Sequence, residues 1–249
     1  MTDDTPVLSI VIPVYNELDT WRDLLGRVER ADLPGTRKQI ILVDDGSSDG
    51  TAEHLRAFAA EVDAGGGGEA IDYRVIHHEV NRGKGAALRT GFAAATGDVV
   101  VVQDADLEYD PADYPRLLDP LLSGRARVVY GSRFKASGSR KGYLKNYLAN
   151  RLLTWLSNRM TGHKLTDMET CYKLFRREVI QGLDLRQDRF GFEPEVTAKL
   201  AAAGEPIVEV PIDYAPRTGA QGKKIGFADG LEAVGCILKY RTRFRGRGG

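Results

Sequence analysis

The chain has little of several things. Among its 249 residues there are two cysteines, Cys171 and Cys236, with neither metal-ligand nor redox spacing. Both read as small core residues of a chain in a reducing compartment. Neither sign of charge is in excess, since 35 Lys+Arg face 35 Asp+Glu. With no net positive field, nucleic acid is not an expected partner. No apolar run approaches the ~20 residues that span a bilayer. The first residues, MTDDTP, are acidic and have no apolar core, which predicts no signal peptide. The expectation is a cytoplasmic chain, or one resting peripherally on the cytoplasmic membrane face. Two phosphate fingerprints are also missing. No G-x-G-x-x-G follows the first apolar run, which argues against a nicotinamide-binding domain, and the absence of G-x-x-x-x-G-K-[ST] excludes a P-loop.

What is present suits an α/β protein. The composition is 42% hydrophobic and 28% charged, ample for a core. Apolar, β-rich runs at 7–14, 39–45, 72–78, 98–104 and 126–132 alternate with helix-period segments such as TWRDLLGRVERA and TAEHLRAFAAEV. Continuously apolar strands separated by helices predict a mostly parallel sheet covered on both faces. The GGGG run at 65–68 reads as a loop. After residue 134 the pattern is less regular: a basic loop at 135–142, a helix over 143–160, a strand-like CYKLF at 171–175, a helix at 195–204, a strand at 207–214, a basic glycine loop at 217–224 and a last helix from about Phe227. Leu144, Leu148, Leu152, Leu156 and Met160 form one stripe of the 143–160 helix. Packing on the sheet explains the stripe most simply; lying at a membrane interface is the alternative.

The polar residues gather where strands end. In an open parallel sheet, ligands sit beyond the carboxyl ends of the strands. Those ends carry Glu17, Asp45, the pair Asp104 and Asp106, and Arg133. The run DVVVVQDADLE drives four valines into Asp104, Asp106 and Glu108. Like charges beside a buried strand are costly unless a cation sits among them. Oxygen-only ligands suit Mg²⁺ or Mn²⁺, which binds through one or two carboxylates and substrate phosphates. Asp110, before Pro111, reads as a helix N-cap. RGKGAAL at 82–88 presents Lys84 and helix amides to a phosphate, or is a plain helix start. His77 and His78 have no other histidine nearby in the sequence and predict no zinc site.

SIVIPVYNE, VDDGSSDGT, NRGKGAAL, DADL and GSRF, in this order, resemble the family 2 inverting glycosyltransferases of the GT-A fold. TDMETCYKLF, FGFEPEV and RTGAQGKK point further, to the catalytic domains of dolichyl- or polyprenyl-phosphate mannose or glucose synthases. The resemblance implies one GT-A domain over 1–240, with a nucleotide-sugar half to residue 134, an acceptor half from 135, and a basic tail over 241–249. It places the nucleotide on Pro13, Tyr15, Glu17, Val43 and Asp45, with Lys84 and Ala105 lining the same site. Asp104, Asp106 and Glu108 would hold the metal and sugar diphosphate. Arg133, Arg217 and Lys223 would clamp the diphosphate or acceptor phosphate.

The implied reaction is attack on the anomeric carbon of a nucleotide-diphosphate sugar with inversion. A phosphate acceptor, already largely anionic near neutral pH with a second pKa of ~6, needs no strong base. A hydroxyl acceptor needs one, and Asp167 and Glu169 are the candidates. The lipid-phosphate synthases usually carry a small neutral residue where Glu169 stands. Several plainer roles stay open. Glu169 could pair with Lys173 one helical turn on, and Glu195 with Arg133 or Arg189. The 217–224 loop could be a solvated basic turn, and the tail a polar terminus or an attachment to anionic lipid. The functional alternatives are a lipid-phosphate sugar transferase, the same donor chemistry on a hydroxyl of a glycan or glycolipid, and a nucleotide-sugar-binding module without turnover.

Overall fold

A computed structural model describes residues 5–66, 71–135, 144–216 and 227–240. In its first half, strands and helices alternate. The strands are β1 (Val7–Val14), β2 (Arg37–Asp44), β3 (Ile71–His77), β4 (Val99–Val102) and β5 (Val128–Ser132). Between them run α1 (Trp21–Arg30), α2 (Thr51–Glu61), α3 (Lys84–Ala94) and α4 (Tyr114–Leu122). The apolar spacing of α1 buries Trp21, Leu24, Leu25 and Val28 on one face. A π-helical turn over Val62–Gly66 ends the second helix, with Gly65 at φ 91°. Asp110 accepts from the Ala112 amide at 3.0 Å and caps a 3-10 turn, Pro111–Asp113, that leads into α4.

The later elements are α5 (Leu144–Thr161), β6 (Lys173–Arg176), α6 (Arg177–Gln181), α7 (Phe192–Ala202), β7 (Ile207–Pro211) and α8 (Phe227–Lys239). One seven-stranded sheet takes strands from both halves, in the order β3-β2-β1-β4-β6-β5-β7. All neighbours pair in parallel except β6, which runs antiparallel to both β4 and β5. The carboxyl ends of β1, β2, β4 and β5 therefore share one rim with the amino end of β6. That reversal brings residues 166–172 to the rim.

The four valines of β4 are completely buried, Val99 pairing Leu8 of β1 on one side and Arg176 of β6 on the other. Burial is worth about 1.5–3 kcal/mol for each such side chain. This anchor holds a polar turn at the end of the strand. Cys171 and Cys236 are free and buried, as their sparse spacing predicts.

The leucine stripe of α5 corrects one expectation. The helix packs on α7 and α8, with Thr154 and Ser157 buried and Leu153, Leu156 and Met160 half-buried. Leu148, Leu152 and Trp155 instead face outward, 57%, 61% and 61% exposed. Thr154 accepts from the Met168 amide at 3.1 Å, so the buried face of α5 is the one toward the turn before β6 and those leucines lie away from it.

Candidate active site

The turn after β4 is built from its own side chains. Asp106 accepts from the Glu108 amide at 3.1 Å, and Leu107 adopts a left-handed φ of 63°. Behind it, buried Gln103 accepts from the Tyr114 and Tyr172 hydroxyls at 2.6 and 2.8 Å. Its amide donates to the Asp104 carbonyl at 3.0 Å. A polar residue closing an apolar run marks this support in the sequence, although Gln103 was not among the expected site residues.

Lys84 enters this turn from the first residue of α3. Its ammonium lies 2.8 Å from Asp104 Oδ1 and 3.4 Å from Glu193 Oε1. Burial opposes the charge of Lys84, but Asp104 and then Glu193 outweigh it and hold its pKa well above the ordinary lysine value. A lysine is thus one of the cations among the acids. Glu193, buried in the first turn of α7, was not expected in the site. Two acids flanking Pro194 at a helix start were its available signal.

The glycines of RGKGAAL serve packing. A Cβ on Gly83 would lie 2.3 Å from the Asp188 carbonyl oxygen, and one on Gly85 2.2 Å from that of Gln187. The Ala86 amide donates to Asp188 O at 3.1 Å. The segment at 187–189 crosses the start of α3, so this amide is engaged within the protein and Lys84 is the group presented to the acidic turn.

Arg133, just beyond β5, forks onto Asp167. Its Nε and Nη2 donate to the two carboxylate oxygens at 2.7 and 2.8 Å, and its backbone amide to Oδ2 at 3.0 Å. Asn150 of α5 adds a bond to Oδ1 at 3.2 Å. Asp167 is fully buried. Burial would raise its pKa, yet Arg133 outweighs that and holds it below the usual carboxylate range. This geometry makes Asp167 the partner of Arg133 and leaves it poorly suited to accept a proton. Arg133 also stacks 5.1 Å from the Tyr214 ring, whose hydroxyl donates to Glu108 Oε2 at 2.7 Å. Residues beyond β7 thereby connect the acidic turn to the arginine.

Glu169 differs from the other acids. Its Oε1 is sealed from solvent with no hydrogen-bond partner, while the residue as a whole is half-buried. Burial first, and then Glu193, push its pKa up to about 7. Glu169 lies in a turn ahead of β6, and Lys173 is the first residue of that strand, so the helical pairing with Lys173 does not arise. The Lys173 ammonium is held by the Met168 and Thr170 carbonyls. Glu195 pairs with neither Arg133 nor Arg189. Its carboxylate accepts from the Arg186 and Gln187 amides and meets Lys199 at 2.7 Å.

The expected nucleotide residues lie along the ends of β1 and β2. Tyr15 is 38% exposed at the rim and Pro13 is half-buried. Glu17 accepts from the Thr20 hydroxyl at 2.6 Å. The side chains of Val43 and Ala105 are buried, so their backbone is what they offer the rim. Asp45 is also buried, and each of its oxygens meets two groups of the protein. Oδ1 meets His78 Nδ1 at 2.7 Å and the Arg82 amide at 3.0 Å; Oδ2 accepts from Asn81 at 2.9 Å and the Gly83 amide at 2.7 Å. Asp45 braces the segment that leads into α3. Arg217 and Lys223 lie outside the described residues.

Among the described residues, no three of His, Cys, Asp and Glu gather as a metal cluster. The donor set still fits a hard ion. Asp104 and Asp106 offer oxygen ligands, and Mg²⁺ or Mn²⁺ commonly takes one or two carboxylates and completes its shell with water and phosphate oxygens.

Comparison with known proteins agrees with this architecture. The family model described as "Glycosyl transferase family 2" matches residues 9–183. An undecaprenyl-phosphate mannosyltransferase of Micrococcus luteus is 30% identical over 96% of this chain and 95% of its own length. An undecaprenyl-phosphate 4-deoxy-4-formamido-L-arabinose transferase of Edwardsiella ictaluri is 32% identical over 87% of this chain, which spans only 62% of that relative. A dolichol-phosphate mannosyltransferase of Pyrococcus furiosus is 29% identical, and the chain spans 59% of it. In fold, the chain is similar to the glucosyl-3-phosphoglycerate synthase of Mycobacterium tuberculosis solved with Mn²⁺ and UDP-glucose. That likeness has a TM-score of 0.69 at 22% identity and covers 95% of this chain and 79% of the other. The chain is a glycosyltransferase and belongs to glycosyl transferase family 2.

Proposed function

We propose that the protein transfers a hexose, with inversion, from a nucleotide-diphosphate sugar of the GDP-mannose or UDP-glucose type to a polyprenyl or dolichyl phosphate. The observation that carries this reading is the Asp104-Ala105-Asp106 turn at the end of β4, flanked by Lys84 and, beyond Tyr214, by Arg133. The similarity to lipid-phosphate sugar transferases supports the choice of acceptor.

An acceptor phosphate oxygen attacks the anomeric carbon. The bond from that carbon to the diphosphate breaks, and the nucleoside diphosphate departs with the electron pair. Asp104 and Asp106 would hold Mg²⁺ or Mn²⁺, with Glu108 as a further ligand, and such an ion would supply positive charge against the departing diphosphate. Pro13, Tyr15, Glu17 and the backbone of Val43 hold the nucleotide, with Asp45 shaping the wall behind it. Arg133 supplies a fixed positive charge for a phosphate, oriented by Asp167. Preorganised charge of this kind is worth about 10²–10³ in rate per contact. Arg217 and Lys223 add cationic contacts to the same phosphates. Asp167 is committed to Arg133, as fits an acceptor that needs no base. Transfer to a hydroxyl is the second reading, favoured by Glu169 with its pKa of about 7.

A lipid acceptor implies work at a membrane surface. Among the described residues, no helix is long and apolar enough to cross a membrane. The outward stripe of α5 supports a peripheral contact, since the same helix sends Asn150 to Asp167.

The test is transfer of radiolabelled sugar from a panel of GDP- and UDP-sugars to a short polyprenyl phosphate with Mn²⁺. One donor should give product, and Asp106→Asn should abolish it. Product formed only on hydroxyl acceptors would replace the lipid-phosphate assignment.

A further inference from the structure

The site contains a carboxyl for which the proposed chemistry has no use. A phosphate acceptor needs no base, and an anion between the two phosphate-binding regions would repel both ligands. Glu169 nevertheless lies near them, two residues beyond the Asp167 that pairs with Arg133. Its neighbours are Glu193 on α7, Lys173 on β6, Arg133 after β5 and Asp167 on its own turn. Four carboxyls, those of Asp104, Asp167, Glu169 and Glu193, share three cations, Lys84, Arg133 and Lys173. Lys84 takes Asp104 and Glu193, and Arg133 takes Asp167. Lys173 is turned to two carbonyls. Glu169 is the carboxyl left over, and its Oε1 lacks a hydrogen-bond partner.

A buried acceptor without a donor is costly, at about 1–3 kcal/mol. Such a group is accounted for if the carboxyl of the half-buried residue turns to a ligand that brings the donor. Neither the diphosphate nor the acceptor phosphate brings a proton donor at neutral pH, but the transferred sugar does. Its hydroxyls are the donor groups of the reaction, and the sugar must lie between the diphosphate grip at Asp104 and the phosphate-binding arginine. The charges of Arg133 and of Glu193, the partner of Lys84, both act on Glu169.

We propose that Glu169 is a specificity-determining residue of the donor site, where its carboxyl accepts a hydrogen bond from a hydroxyl of the transferred sugar. This inference rests on the transferase reading above. The chain therefore selects a sugar with a hydroxyl directed at the turn between α5 and β6.

Calorimetric binding with Mn²⁺ separates the sugar contact from the nucleotide contacts. The sugar nucleotide that supports transfer and its parent nucleoside diphosphate are each titrated into the unaltered protein, Glu169→Ala and Glu169→Asp. The expected result is that both variants bind the nucleoside diphosphate as the unaltered protein does. Both should lose at least about tenfold in affinity for the sugar nucleotide, the effect of losing one hydrogen bond to a charged group. A deoxy-sugar nucleotide lacking the recognised hydroxyl should reproduce the loss in the unaltered protein and show no further loss in the variants. Because it needs no variant, this arm keeps its force if Glu169→Ala does not fold. Unchanged sugar-nucleotide affinity in the variants, equal weakening of both ligands, or no deoxy-sugar effect at any position in the unaltered protein overturns the inference. So does a Glu169→Gln enzyme with intact donor affinity and a collapsed kcat, which would make the residue a proton acceptor. Failure of the unaltered protein to bind any nucleoside diphosphate removes the transferase reading, and this inference falls with it.

Discussion

The Lys84 ammonium lies 2.8 Å from Asp104 Oδ1, inside the acidic turn that a divalent ion is proposed to occupy. Lysine and metal then compete for one carboxylate. Replacing Lys84 with Met leaves Asp104 and Glu193 without their shared cation. The variant should lose about 1–3 kcal/mol in denaturant unfolding without metal. Millimolar Mn²⁺ should restore more stability to the variant than it adds to the unaltered protein. Equal gains in the two would show that the ion does not use Asp104.

Arg133 and Asp167 form a buried, two-pronged ion pair. Removing one partner strands a charge and typically costs about 3–5 kcal/mol. Arg133→Met and Asp167→Asn should each destabilise on that scale, and the double substitution by clearly less than their sum. Additive losses would mean that the pair is not coupled. Catalytically, Asp167→Asn should lower kcat through a misoriented arginine while leaving nucleotide affinity close to its original value.

Glu169 gives a pH signature. Its carboxyl titrates near pH 7 in the fold, against 4.5 ordinarily. Between those values the native state holds a proton that the unfolded chain has released, so its contribution to stability falls as pH rises through this window. Glu169→Gln removes the titration. Its thermal midpoint relative to the unaltered protein should therefore climb from pH 4.5 to pH 7 and level off above. A difference independent of pH would place the carboxyl in water.

Gly85 faces the Gln187 carbonyl so closely that an added Cβ would sit 2.2 Å from it. The obstacle is backbone, which cannot rotate away. Gly85→Ala should push the start of α3 off the 187–189 segment, lower the thermal midpoint and displace Lys84. Hydrogen exchange at Ala86, whose amide bonds Asp188, should accelerate. An unchanged exchange rate there would contradict this packing.

The exposed stripe of α5 predicts attachment to anionic vesicles at low salt. Leu152→Glu with Trp155→Glu should abolish sedimentation with phosphatidylglycerol liposomes, while transfer to a water-soluble short-chain acceptor persists. Undiminished sedimentation would assign attachment to another surface.

Much of the fold was legible because its signals are local. Valine-rich runs and helical spacing give β1 to β5 and their covering helices without reference to one another. The acidic turn was legible for the same reason, as charges closing a strand stand out. The reversal of β6 was not, because a four-residue strand carries no mark of its direction and its neighbours lie far away in sequence. Glu193 was missed on similar grounds. Its importance comes from Lys84, more than 100 positions earlier, and only the crossing of the 187–189 segment over α3 brings the two together. Asp45 shows the converse: its residue type suits a nucleotide, while its four partners come from a turn that only folding delivers.

The antiparallel course of β6 has a further consequence. The chain leaves the rim after β5, builds α5, and returns to the same rim before β6 begins. The residue that follows β5 and the turn that precedes β6 thus meet through Arg133 and Asp167. A substitution in α5 can therefore reach the Arg133–Asp167 pair through Asn150 while β1 and β2 stay as they are.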